Sequence, residues 1–109
     1  MKRLTGSILL LCLVFTLCAC NKDDNRIFMA TVLENTGALI VEPQESTDEY
    51  KSSDKIVVHT NNAIVLNSEG LKIMPSDIVA GQTVQITYNG QIAESYPAQI
   101  WADKITIVE

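Results

Sequence analysis

The chain has 109 residues, 47 % of them hydrophobic, with 13 acidic and 8 basic side chains and a net charge of −5 at pH 7. That length holds one small domain. A surface of that sign repels phosphate backbones and anionic lipid head groups, which argues against nucleic acid as a partner.

The first residues differ from the rest. Met1-Lys2-Arg3 is basic, and Ile8 to Cys18 is an apolar run broken only by Thr16. The run is shorter than the roughly 20 apolar residues that a spanning helix needs. With Ala19 after it, residues 1–19 read as a cleaved signal peptide outside the fold. Leu17-Cys18-Ala19-Cys20 resembles the bacterial lipobox. The resemblance implies that cleavage falls before Cys20 and that its sulfur carries a diacylglyceryl group. Two acyl chains suffice for stable anchoring where one does not. The membrane is then a partner through this lipid anchor, on the extracytoplasmic face of a bacterial envelope. Cys12 and Cys18 would leave with the signal peptide, so the mature domain is expected to have no disulfide, no thiolate metal site and no cysteine nucleophile. Its balance becomes six basic residues against thirteen acidic ones, a net charge of about −7.

Residues 20–25 are polar and read as a tether. Arg26 to Glu34 carries Ile27, Met29, Thr31 and Leu33 at period two, a strand pattern. Asn35-Thr36-Gly37 is turn chemistry, and Ala38 to Glu42 returns as a hairpin strand. Pro43 to Lys55 is polar and reads as a long mobile loop. Ile56 to Thr60 is the next strand, and Ala63 to Leu66 continues it after Asn61-Asn62. Pro75 forbids a long helix in the following stretch, leaving one helical turn near Pro75–Ile78 before Gly81. Thr83 to Tyr88 is a strand with Val84 and Ile86 inward. Asn89-Gly90 signals a two-residue hairpin, with Gln91 to Tyr96 returning and Ala98 to Val108 closing the sheet.

This pattern predicts a mainly β domain over residues 26–109: a small five- to six-stranded barrel of the oligonucleotide/oligosaccharide-binding kind, with at most one short helical turn. A small sandwich is the alternative. Gly90 and Glu94-Ser95-Tyr96-Pro97-Ala98-Gln99, with the opening glycine-turn hairpin, Gly81-Gln82-Thr83-Val84 and the closing strand through Lys104-Ile105, resemble the YobA-like small bacterial lipoproteins. That resemblance implies a barrel-like, lipid-anchored, extracytoplasmic protein and no known reaction.

Pro97 cannot donate to a ladder, so it belongs at an edge, bulge or strand start. Around it, Glu94, Tyr96 and Gln99 make a candidate polar binding patch, set against a purely structural bend in which Tyr96 packs on the core. His59 is the only histidine, and no Cys or second His completes a metal site. Asp48-Glu49 and Asp54 read as solvated loop charges, with weak cation binding as the other reading. Phe28, Tyr88 and Trp101 read as core, with a sugar-stacking platform as the alternative. No catalytic arrangement and no cofactor motif stands out. The expectation is therefore a binding or interaction module for an envelope protein or saccharide. The alternatives are an envelope-polymer hydrolase using Glu94 and a structural subunit of an envelope complex.

Overall fold

The computed structural model describes residues 25–108. The expected signal peptide (1–19), Cys20 and the tether up to residue 24 lie outside the described residues. Seven strands run in chain order as β1 (Arg26–Asn35), β2 (Leu39–Pro43), β3 (Ile56–His59), β4 (Ile64–Leu66), β5 (Lys72–Ile73), β6 (Thr83–Tyr88) and β7 (Ala98–Ile107). A one-turn helix, α1 (Asp48–Ser52), joins β2 to β3, and a 3-10 turn at Pro75–Asp77 precedes β6.

The sheet closes on itself. β1 pairs antiparallel with β2 and β6, β2 with β3, and β6 with β7. The circuit is completed by a parallel pairing of β3 with β7, from Ile56 opposite Ala98 to His59 opposite Trp101. The result is the expected mainly β, five-stranded barrel with two added strands. β4 takes over from β3 along the same edge of β7, with Ile64 opposite Lys104, and β5 hangs on β4 as a short hairpin.

The interior follows the pleat, in which alternate side chains face opposite sides. Phe28, Ala30 and Val32 of β1, Val41 of β2, Ile56 and Val58 of β3, and Val84, Ile86 and Tyr88 of β6 are all buried. Ile27, Met29, Thr31 and Leu33 do share a face of β1, but it is the outer one, where Ile27 and Leu33 are exposed. Both faces of β1 are apolar, so spacing alone leaves the phase open; the smaller Ala30 and Val32 fit the crowded inside.

Two bulges let the strands curl. Leu33 is unpaired where Val32 faces Val41 and Glu34 faces Ile40. Asp103 is unpaired where Thr87 faces Lys104 and Tyr88 faces Ala102. The second bulge resets the phase of β7, so Ala98, Ile100 and Ala102 point inward before it and Ile105 and Ile107 after it.

Both barrel ends are plugged by connecting segments. At one, the 3-10 turn is tied down by Asn35, whose Nδ2 donates to the carbonyls of Pro75 at 3.0 Å and Ile78 at 2.9 Å. This seats Ile78 in the core. At the other end lies α1, in the stretch expected to be an open loop. Thr47 caps it by accepting from Tyr50 N at 3.1 Å, and Asp48 and Glu49 fill its first turn, where acidic groups suit the helix dipole.

The connection of β6 to β7 departs from the expected hairpin. Asn89-Gly90 does turn the chain: Asn89 Oδ1 accepts from Gln91 N at 2.9 Å and Gly90 has φ +91°. Residues 91–96 then leave the sheet instead of returning as a strand, and touch it by one bridge between Ala93 and Gln99. The Tyr96-Pro97 bond is cis. Pro97, with no N–H for a ladder, marks where β7 starts.

Ile100 is fully buried at the middle of the closing pair. Ile100→Ala is expected to cost about 2–5 kcal/mol, read as a lower urea midpoint. Gln85→Ala on the outer face should stay within about 0.5 kcal/mol of the parent.

Candidate functional site

Polar and aromatic side chains gather at three places on this frame. The first is inside, under α1. Glu49 is 2 % exposed. Its Oε2 accepts from the Tyr88 hydroxyl at 2.7 Å and from Arg26 Nε at 3.1 Å, while Arg26 Nη2 reaches Asp48 at 3.0 Å. Tyr88 packs edge-on to Phe28, ring centres 5.6 Å apart. Burial first, then the hydrogen bond to Glu49 and its charge, push the Tyr88 phenol well above its ordinary value, with Arg26 acting the other way. Arg26 and Tyr88 come from neighbouring strands and meet a carboxylate delivered by the first turn of α1. Buried and mutually bonded, this cluster is the pin that holds α1 on the barrel end. The acids expected to be solvated loop charges are thus divided: Glu49 is buried and paired, Asp48 is an exposed partner of Arg26 and Lys51.

The second place is the outer face of the closing pair. His59 and Trp101 sit opposite one another across β3 and β7, and their rings stack 4.7 Å apart with planes 16° from parallel. His59 Nε2 lies 2.8 Å from Gln99 Oε1. The contact is one hydrogen bond between imidazole and amide, with the donor set by the ring tautomer and the amide orientation, and it leaves Nδ1 as the second polar atom of the ring. Trp101 keeps 51 % of its surface exposed, unlike Phe28 and Tyr88, which are core as expected. Beside this stack lies a cleft of about 270 Å³. It is lined by Asn35, Gly37, Ala38 and Leu39 from the β1–β2 turn and by Val57 to Asn61 from the end of β3. His59 is shared, forming one wall of the cleft and one face of the stack.

The third place is the Glu-Ser-Tyr-Pro segment. Tyr96 is 68 % exposed and does not pack on the core. Its hydroxyl donates to Asp54 Oδ1 at 2.8 Å, which raises its titration above the usual phenol value and fastens the β6–β7 loop to the turn after α1. Ser95 Oγ donates to the Pro97 carbonyl at 2.8 Å. Glu94 is exposed and makes no hydrogen bond to the described residues. Of the three side chains singled out in sequence, Tyr96 therefore engages Asp54 and Gln99 engages His59, and no hydrogen bond links the three. Sequence spacing missed His59 as a companion of Gln99 and Trp101, because the parallel pairing that joins them spans some 40 residues. Among the described residues, no three His, Cys, Asp or Glu side chains cluster as a metal site would need.

Residues 21–109 match the family model described as "Protein of unknown function (DUF3221)", and the chain belongs to that family. Neither the curated proteins nor the solved structures give a significant match.

The pin beneath α1 has a pH signature. An unfolded tyrosine ionises near pH 10, while folded Tyr88 holds its proton to higher pH. Its contribution is complete below about pH 10 and shrinks as pH rises above that. Unfolding measured between pH 8 and 11 should show stability falling at the alkaline end, with a shallower fall in Tyr88→Phe. At pH 7 that variant should lose about 1–3 kcal/mol, since a buried carboxylate oxygen loses its hydroxyl donor.

Proposed function

We propose that this member of the DUF3221 family is a lipid-anchored envelope protein whose barrel works as a binding module. The face used is that of His59, Gln99 and Trp101 together with the adjoining cleft. The observation that carries this reading is the half-exposed Trp101, held flat by a histidine that is itself held by Gln99. An indole fixed before its ligand arrives loses little side-chain freedom on binding, which is why rigid exposed aromatics serve as anchors. Ligands of five-stranded barrels of this kind commonly meet the face of the second and third strands and the loop between the first two, the region of this cleft.

The lipobox resemblance at Cys20 supplies the anchor, and the Glu-Ser-Tyr-Pro resemblance to YobA-like lipoproteins points the same way. With Cys20 acylated, residues 20–25 could reach about 20 Å when extended. They enter the barrel at Arg26, at the α1 end. The cleft begins at Asn35, the far end of β1, roughly 30 Å of strand away. A tether attached at the end opposite the cleft supports a reading in which the cleft is presented to envelope components. The hydrolase alternative has less support: glycosidases work with two carboxyl groups, and Glu94 stands alone in solvent.

Two measurements test the reading. Cys20→Ala should shift the full chain from the membrane pellet to the soluble fraction; continued pelleting of the variant would remove the lipid anchor from the proposal. Trp101 is the sole tryptophan, so its emission reports the face directly. Envelope extract should change that emission saturably, whereas an extract that leaves both emission and amide spectrum untouched would sink the binding module.

A further inference from the structure

The lining of the cleft has a character of its own. Thirteen acidic and eight basic side chains are distributed over the chain, yet none lines this opening. Its polar groups are amides, a hydroxyl and an imidazole. Asn35 is committed to the Pro75 and Ile78 carbonyls. The side chains of Thr60 and Asn61 make no hydrogen bond among the described residues and stand free at the rim. His59 has Nδ1 left for a ligand, since Nε2 is engaged with Gln99. An anion would find no cation here, and a cation no carboxylate. A nucleobase stacked on Trp101 would leave its phosphates without the basic groove that single-strand binders supply. A neutral ligand rich in hydroxyl and amide groups suits every one of these features. It needs donors and acceptors at short range and an apolar face to rest on an aromatic ring.

We propose that the cleft and Trp101 are adjoining subsites for a neutral oligosaccharide. One sugar ring occupies the cleft against Thr60, Asn61 and His59, and the next passes over His59, which covers one face of the Trp101 indole, to the part of that indole left exposed. The volume of about 270 Å³ falls just below the usual range of ligand pockets, which leaves room for one ring and not for a larger ligand. This inference rests on the reading of this face as a binding surface, and it names the class of ligand.

The test uses the full chain in a zwitterionic detergent without a sugar head group. Its amide spectrum is followed during titration with three probes: N-acetylated chitotetraose, which is neutral; chitosan tetramer, which is cationic; and trigalacturonate, which is anionic. The expected result is saturable shifts at residues 36–38, 57–61 and 99–101 with the neutral probe alone. Trp101→Ala and Asn61→Ala should each weaken that binding at least tenfold while leaving the remaining amides in place, which shows that the barrel is still folded. Shifts of the same amides with only a charged probe overturn the neutral class and leave the binding surface standing. Silence with all three overturns the saccharide assignment. Envelope extract added afterwards then separates the two failures, because shifts at these amides preserve a binding surface for another ligand and silence removes both.

Discussion

The parallel pairing of β3 with β7 is the contact on which the rest depends. Without it the strands form an open meander with long exposed edges, a form prone to pairing with other chains. With it, β1 through β3 close onto β6 and β7 and enclose one core. Parallel neighbours cannot be joined by a tight turn and need a long crossover. The chain between His59 and Ala98 provides it, and also yields the β4–β5 hairpin, the Ile78 plug and β6. The same pairing sets His59 beside Trp101 and within reach of Gln99, so closing the fold and assembling the aromatic stack are one event.

Closure leaves two open ends, and the chain seals each differently. At the Asn35 end the seal is apolar: Ile78 fills the interior and one asparagine satisfies the carbonyls of the turn that carries it. At the Arg26 end a carboxylate goes inside. A buried charge is costly unless fully paired, and an apolar residue of similar volume often serves stability as well. Glu49 differs from a leucine in that it must meet Tyr88 and Arg26 at set directions, which fixes where α1 docks. No buried side-chain polar atom among the described residues lacks a partner, so this polar plug is complete.

The sequence was most legible where side-chain period and turn chemistry agree. The β1–β2 hairpin, the Pro75 turn, the strand at Thr83–Tyr88 and the barrel itself all follow from local pattern. Legibility failed where a local signal met a tertiary one. Asn89-Gly90 is a strong turn, but β7 pairs with β6 only from Ala102, so the turn opens a loop instead of a hairpin. The polar run around Glu49 looked solvated because its partners, Arg26 and Tyr88, lie 23 and 39 residues away. Thr47 followed by two acids was the available signal for a capped turn there. The candidate site was not assembled by local pattern: Gln99 grouped with Glu94 and Tyr96, Trp101 read as core, and the histidine that joins them looked like a lone strand residue.

The arrangement separates the residues that hold the fold from those of the proposed binding face. Every residue that seals the core points inward or sits in a plug, whereas the His59–Trp101 stack and the cleft are made from outer faces and loop ends. Loops at such a rim carry little of the core energy and tolerate change. Thr36 to Ala38 and Thr60 to Asn62 contribute no side chain to the core cluster, so their chemistry can change without disturbing closure. The rim at Asn35 and His59, where the proposed binding face lies, is thus the part of the barrel least bound up with holding it closed.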